Sequence, residues 1–320
     1  SKCTTSAISD FVYRCVKMRH DVSVHTRVYV ENTVNSKINE LGPKDMALLM
    51  WSFAKLGHRP KKTFLKRLEQ RYRRLFQLTS AVIVKNQTMR SRLIALGAQP
   101  AQLVISPSGA DEQRFQGATP ASMPPRFLAV GRFVAKKGPL DTLEAFALLR
   151  GLTDQADACR LVMVGDGPLL PVVQERVRQL GLDQFVQFPG VLSPDAVVQE
   201  MRRARVFVQH SRTAEDGDEE GCPVSVMEAQ LCGLPVVSTL HGGIPDVVVD
   251  QQTGRLVEEG DRRAMAEAMA LLVDQPDLAA AWGTAGQLRA QARFTVAHHV
   301  DQITMLLNDL VDNRRSAAKA

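Results

Sequence analysis

At 320 residues, with 45% hydrophobic and 23% charged side chains, the chain has apolar material for one large domain or two ordinary ones, which excludes a disordered or collagen-like polymer. Its apolar runs fall well short of the ~18 residues that a membrane span needs. The net charge of +6 is unevenly placed: the first 75 residues hold sixteen Lys and Arg against six Asp and Glu, a local +10, so the remainder is net acidic.

That basic segment, residues 1–75, is where a polyanion such as RNA would bind, although a solvated helical surface accounts for the same charge. A shift of 38 residues lays FVYRCVKMRH (11–20) over LMWSFAKLGH (49–58), aligning aromatic, lysine and histidine positions. Such a period marks stacked helical units. In the second unit Pro43 starts a helix, Met46 to Leu56 supply its apolar face, and Gly57 with Pro60 ends it.

From about residue 77 short β-rich runs alternate with amphipathic stretches, the pattern of a parallel sheet covered on both faces. A strand is predicted at 81–85, a helix at 88–96 and a strand at 103–106. Residues 116–125, with Gly117, Pro120, Pro124 and Pro125, read as a linker. Strands then follow at 127–130, 160–164, 185–188, 205–209 and 235–238, with helices at 139–150, 169–180, 194–203 and 223–232. Residues 262–310 are mostly helical. The expected fold class is therefore α/β with a doubly wound, Rossmann-like parallel sheet, preceded by a short all-α segment.

In such sheets ligands sit beyond the carboxyl ends of the strands, where helix N-termini present unpaired N–H groups. Chemistry-bearing residues cluster there. Gly131-Arg132 through Lys136, Lys137 and Gly138 places three cations in one turn, the composition of a diphosphate clamp. Gly165-Asp166-Gly167-Pro168 is a second glycine turn, half of a dinucleotide fingerprint, and a strand-to-helix turn needs glycine in any case.

The richest segment runs from His210 to Ala229. Glu220 precedes Gly221, Cys222, Pro223 and Val224 at a helix start, and Glu228 lies about two turns into that helix. One carboxylate can accept from sugar hydroxyls and the other from a ribose, with the amides of 221–224 between them. Gly242 and Gly243 offer free amides at a further strand end. His210 and His241 read as satisfied loop histidines. Asp216-Gly217-Asp218 lacks the further offsets of a calcium loop, so no metal is expected. The five cysteines, Cys3, Cys15, Cys159, Cys222 and Cys232, show no C-x-x-C pair and predict buried thiols in a reducing, cytoplasmic setting; no secretory leader is recognisable at Ser1.

Together, Gly131-Arg132 to Lys137-Gly138, Gly165-Asp-Gly-Pro, Glu220 with Glu228, and GLPVVS before Gly242-Gly-Ile-Pro resemble glycosyltransferase family 4 over about residues 73–312. The stretch from His210 to Thr239 is most similar to bacterial exopolysaccharide transferases of the colanic-acid type. LGPKDMALLMWSFAKLG (41–57) resembles octotricopeptide-type helical repeats. The family resemblance implies a GT-B fold, a retaining hexosyl transfer without metal or cofactor, a nucleotide-diphosphate sugar donor, and a polysaccharide or lipid-linked acceptor that would bring the chain to a membrane surface.

By the same resemblance Arg132 and Lys137 neutralise the donor diphosphate, Glu220 with the amides of 221–224 holds the sugar, and Glu228 binds the ribose. Gly131, Gly165, Gly167, Gly242 and Gly243 complete the donor site. The implied organisation is a helical segment at 1–72, a remnant of the N-terminal domain with linker at 73–125, a donor domain at 126–290 and a C-terminal helix and tail at 291–320. Because only part of the family's N-terminal domain is recognisable, donor binding is expected without assurance of turnover. The alternative reading is an RNA-binding helical-repeat protein carrying a degenerate transferase domain.

Overall fold

The computed structural model describes residues 5–17, 22–56 and 58–317, which form two compact units. The first comprises Ser1–Ile83 with Arg90–Val104, and the second Val84–Met89 with Ile105–Ala320.

The first unit is built on four helices: α1 (Thr5–Lys17), α2 (Val24–Ser36), α3 (Pro43–Lys55) and α4 (Lys62–Leu78). The helices α1 and α3 are offset by the 38 residues read from sequence, and they pack on each other. Met18, Arg19, His20 and Gly57, which also entered that alignment, lie outside the described residues. α2 has no signal of its own in the sequence reading; the Ser23 side chain starts it by accepting from the Thr26 N–H. Val12, Val34, Leu49, Phe53, Phe64 and Leu68 form the core. Part of the basic charge is spent inside this unit. Arg67 donates to the Asn35 carbonyl at 2.5 Å and Arg71 to the Leu41 carbonyl at 3.1 Å.

Next along the chain come β1 (Val82–Val84), α5 (Gln87–Ala95) and β2 (Leu103–Ile105), and the two strands pair. Thereafter the second unit alternates β3 (Arg126–Val130), α6 (Pro139–Leu149), β4 (Arg160–Val164), α7 (Leu170–Gln179), β5 (Val186–Gly190), α8 (Pro194–Arg203), β6 (Val206–Gln209), α9 (Val224–Cys232), β7 (Val236–Thr239), α10 (Ile244–Val247) and β8 (Gly254–Val257). Three further helices, α11 (Arg262–Asp274), α12 (Pro276–Arg293) and α13 (Val296–Ala317), fill the region predicted as helical. The strand β8 is absent from the sequence reading.

The sheet order is β5-β4-β3-β6-β7-β8, all parallel. Its strands are apolar on both faces because helices cover both. Phe127, Leu161, Met163, Val206, Val208 and Val237 enter one core layer with Leu143, Phe146 and Met269; Leu128, Val162, Val164, Phe207 and Val236 enter the other with Met201, Val226 and Met227. The order reverses between β3 and β6, and the crevice at that switch point is where such sheets take ligands. Among the described residues no helix is long and apolar enough to cross a membrane.

Candidate active site

Two loops meet at the switch point: 131–138, after β3, and 210–223, after β6. The first ends at Gly138, whose φ of +51° suits glycine and whose missing Cβ would lie 1.9 Å from the His210 carbonyl oxygen. The loops therefore touch backbone to backbone, and Pro139 begins α6 immediately afterwards.

Lys137 points into the crevice. Its Nζ lies 3.3 Å from Glu220 Oε2 and 3.4 Å from the Gln209 side-chain oxygen, and its stem covers Gly131. Burial lowers the Lys137 pKa, while the charge and hydrogen bond of Glu220 oppose that shift. Glu220 is only 8% exposed; its second oxygen, Oε1, is removed from solvent with no hydrogen-bond partner. Such a group costs free energy unless a donor arrives. Arg132 lines the same cavity as Gly131, Lys137 and Gln209 and carries no ion pair among the described residues. Lys136 differs from the expectation of three open cations, since it pairs with Asp218 at 3.1 Å and donates to the Glu219 carbonyl.

The N–H groups of Gly221, Cys222 and Val224 have no acceptor among the described residues, as expected at the N-terminus of α9. Glu220 is held from beneath. Its N–H donates to His241 Nε2 at 2.9 Å, and His241 Nδ1 meets Glu259 Oε1 at 2.5 Å. Nε2 thus accepts from the backbone, and Nδ1 is the ring nitrogen turned to Glu259. His210, fully buried, accepts from the Gly260 N–H through Nε2 at 2.7 Å. Burial pushes its pKa down, which favours the neutral ring. Both histidines bind loops, which agrees with the structural role expected of them.

The glycines divide by what they approach. A Cβ on Gly165 would meet the Gly131 oxygen at 2.0 Å, and one on Gly167 the Phe133 oxygen at 2.7 Å. Gly242 and Gly243 press in the same way on the Glu220 and Gly221 oxygens, at 2.0 and 2.1 Å. These four glycines are demanded by packing of the site loops on one another. Cys222, whose amide is the part expected at the donor site, also lines a separate cavity with Lys85 and Arg289. Of the four described cysteines Cys159 and Cys232 are buried, but Cys15 and Cys222 are only half-buried; Cys3 lies outside the described residues. No cluster of three or more His, Cys, Asp or Glu that could hold a metal occurs among the described residues.

Glu228 sits half-buried in α9 without a hydrogen-bond partner. Burial pushes its carboxyl up to about 7, against the pull of the Lys137 charge. The folded value is raised above the ordinary 4.5, so between those pH values the folded chain holds a proton that the unfolded chain has released. Stability contributed here therefore falls as pH rises through that window. Glu228→Gln should flatten the fall in melting temperature between about pH 5 and about pH 8. Identical pH profiles for variant and parent would show that Glu228 is not desolvated.

Sequence reasoning missed Gln209, Glu259, Asp141 and Asn86. Gln209 reads as one more residue of a buried strand. Asp141, 3% exposed, anchors Arg262 at 2.7 Å and Arg212 at 3.4 Å; its place just after Gly138-Pro139 at a helix start was the available signal. Asn86 donates to the Gly221 carbonyl at 2.5 Å across 135 positions of sequence, and nothing local announces it.

A doubly wound parallel sheet with a cationic loop and an acidic loop facing each other at its switch point belongs to the class of open α/β folds that take ligands at that point. The chain belongs to the glycosyl transferases group 1 family, whose model matches residues 110–289. It is 35% identical over 202 residues to the colanic acid biosynthesis glycosyltransferase WcaL of Escherichia coli, an alignment covering 62% of this chain and 49% of WcaL. It is 30% identical over 226 residues to a GDP-mannose-dependent phosphatidylinositol monomannoside mannosyltransferase of Mycobacterium tuberculosis, covering 67% of this chain and 58% of the other. The chain spans about half the length of the first of these relatives. Among solved structures Anabaena HepE in complex with UDP superposes with a TM-score of 0.67 at 18% identity, covering 91% of this chain and 85% of that one. The fold is thus that of the GT-B glycosyltransferases.

Proposed function

We propose that the second unit binds a nucleotide-diphosphate sugar and that the protein transfers its hexose, with retention, to a polysaccharide or lipid-linked acceptor. One observation carries this reading: Lys137 and Glu220 face each other at 3.3 Å while Glu220 Oε1 stays buried and unpaired, and the N–H groups of Gly221, Cys222 and Val224, next along the chain, are open among the described residues. A sugar hydroxyl would supply the missing donor to Oε1. Arg132 and Lys137 would neutralise the diphosphate as the glycosidic bond breaks and charge grows on the leaving group. Glu228 would accept from the ribose, and that acceptance strengthens as its carboxyl ionises with rising pH through about 7.

The relatives' names support both halves of the reading, a GDP-mannose donor for one and colanic acid biosynthesis for another. A lipid-linked acceptor would place the chain at the cytoplasmic face of a membrane as a peripheral protein. Calorimetry with UDP-, GDP- and ADP-sugars tests donor binding. One of them should bind, and Arg132→Ala should weaken it about tenfold, or 1.4 kcal/mol. Failure of all three to bind, or unchanged affinity in the variant, would overturn the assignment. Transfer is a separate readout, followed as release of nucleoside diphosphate in the presence of acceptor.

A further inference from the structure

A second cavity, of about 360 Å³, opens in the same unit, with Cys222 on its wall. Its walls come from the segments at 85–87 and 105–107, the start of α10, the end of α12 and the start of α13. Lys85, Arg289 and Arg293 line it, together with His298, Gln302 and a single acid, Asp246. The three cations have no carboxylate within ion-pair distance among the described residues. Lys85 donates only to the Ser106 carbonyl at 3.3 Å. Arg289 donates to the Val247 and Asp246 carbonyls at 3.0 and 2.8 Å, and both arginines lie near the Phe294 ring.

Asp246 is one acid against three cations and offsets only part of their charge; one of its carboxylate oxygens accepts from the Gln87 N–H at 2.7 Å. Burial first, and the proximity of Arg293 second, push the Arg289 pKa down, against the pull of the Asp246 charge. With three cations and one acid on its walls the cavity lacks an anion, and a phosphate ester supplies one.

We infer that this cavity binds the phosphate of a phosphate ester, gripped by Lys85, Arg289 and Arg293. The site is distinct from the donor clamp and goes beyond the donor reading, because it shares neither Arg132 nor Lys137. The same chemistry is offered by a soluble polyol phosphate and by a phosphoglycerol lipid headgroup.

The test uses the full chain. Glycerol 3-phosphate is titrated into the parent, Lys85→Gln/Arg293→Gln and Lys137→Gln, and each protein is also sedimented with phosphatidylglycerol and phosphatidylcholine vesicles. Arg289 is left intact because its guanidinium holds two backbone carbonyls; Arg293 is exposed and Lys85 bonds one carbonyl, so the double variant should melt as the parent does. The expected result is about tenfold weaker binding in the double variant and no change in Lys137→Gln. Titration of the soluble ester would identify a soluble ligand. Retention on phosphatidylglycerol alone, lost in the double variant, would identify the headgroup. Binding of neither, or equal binding by parent and double variant, overturns the site. A loss confined to Lys137→Gln would also overturn it, by locating the phosphate in the donor clamp; failure of every nucleotide sugar to bind leaves this outcome independent.

Discussion

Lys137→Ala should abolish measurable transfer, by about two to three orders of magnitude, while lowering stability by roughly 2–3 kcal/mol. Both effects come from the same pair. Glu220 is 8% exposed, and its Oε2 has Lys137 Nζ at 3.3 Å while Oε1 has no partner. Removing the ammonium leaves a buried carboxylate with neither oxygen paired, which is costlier than never having built the pair. The stability figure is set below the full buried-pair range because the Lys137 side chain keeps 16% of its exposure and water reaches it.

The double variant Lys137→Met/Glu220→Gln separates the two effects. With the Lys137 and Glu220 charges both removed, stability should return to within about 1 kcal/mol of the parent, since no buried charge of the pair is left without its partner. Transfer should stay lost, because the cation and the carboxylate proposed to face the donor are both absent. Thermal melts and nucleotide-sugar calorimetry read the two properties independently. If Lys137→Ala binds donor as the parent does, the crevice is a structural ion pair and the donor site lies elsewhere.

Much of this arrangement was legible in the sequence, and the parts that were not share a physical reason. The strands β3, β4, β6 and β7 announce themselves because a strand buried on both faces is mostly apolar, as in Val206, Phe207 and Val208 of β6. The strand β8 escapes notice because GRLV at 254–257 sits at the sheet edge, carries a half-exposed Arg255, and is only four residues long. In the first unit α2 lacks a clear apolar face, and its burial of Val30, Val34 and even Glu31 depends on neighbours. Glu31 is held by His58 at 2.7 Å and the Lys61 N–H at 2.8 Å, contacts nearly 30 residues away.

For the site, residue types at strand ends located the loops, because glycine, cations and acids there have few other uses. What the sequence could not show was pairing. Lys136 and Lys137 are adjacent and chemically equivalent, yet one is tied to Asp218 and the other turned to Glu220. That choice is made by the fold of 210–223, whose acidic run offers several partners. The supporting contacts of His241, Glu259 and Asn86 are equally hidden, since each reaches across loops joined only in three dimensions.

The expected behaviour of Gly165→Ala follows from the same distinction between what a loop touches and what it could bind. In the family pattern this glycine belongs to the donor site, where a bare backbone lets a ligand approach. In the structure the approach is already occupied: a Cβ at Gly165 would stand 2.0 Å from the Gly131 oxygen, and the Gly131 N–H in turn donates to the Val164 carbonyl at 3.0 Å. The residue also holds a φ of +132°, which side-chain-bearing residues rarely adopt. Clash and strain together should cost about 4 kcal/mol, a drop in melting temperature on the order of 10 °C. Gly260→Ala is the control, because its φ of +82° is comparable but a Cβ there meets nothing within 4 Å, so strain alone should cost about 1 kcal/mol. Relief of the clash can only move the 131–132 turn, and with it Arg132, so nucleotide affinity should fall together with stability in Gly165→Ala and with neither much changed in Gly260→Ala. A Gly165→Ala protein that melts like the parent yet has lost nucleotide would mean that the glycine serves the ligand directly and that the 131 and 165 turns can separate without harm to the sheet.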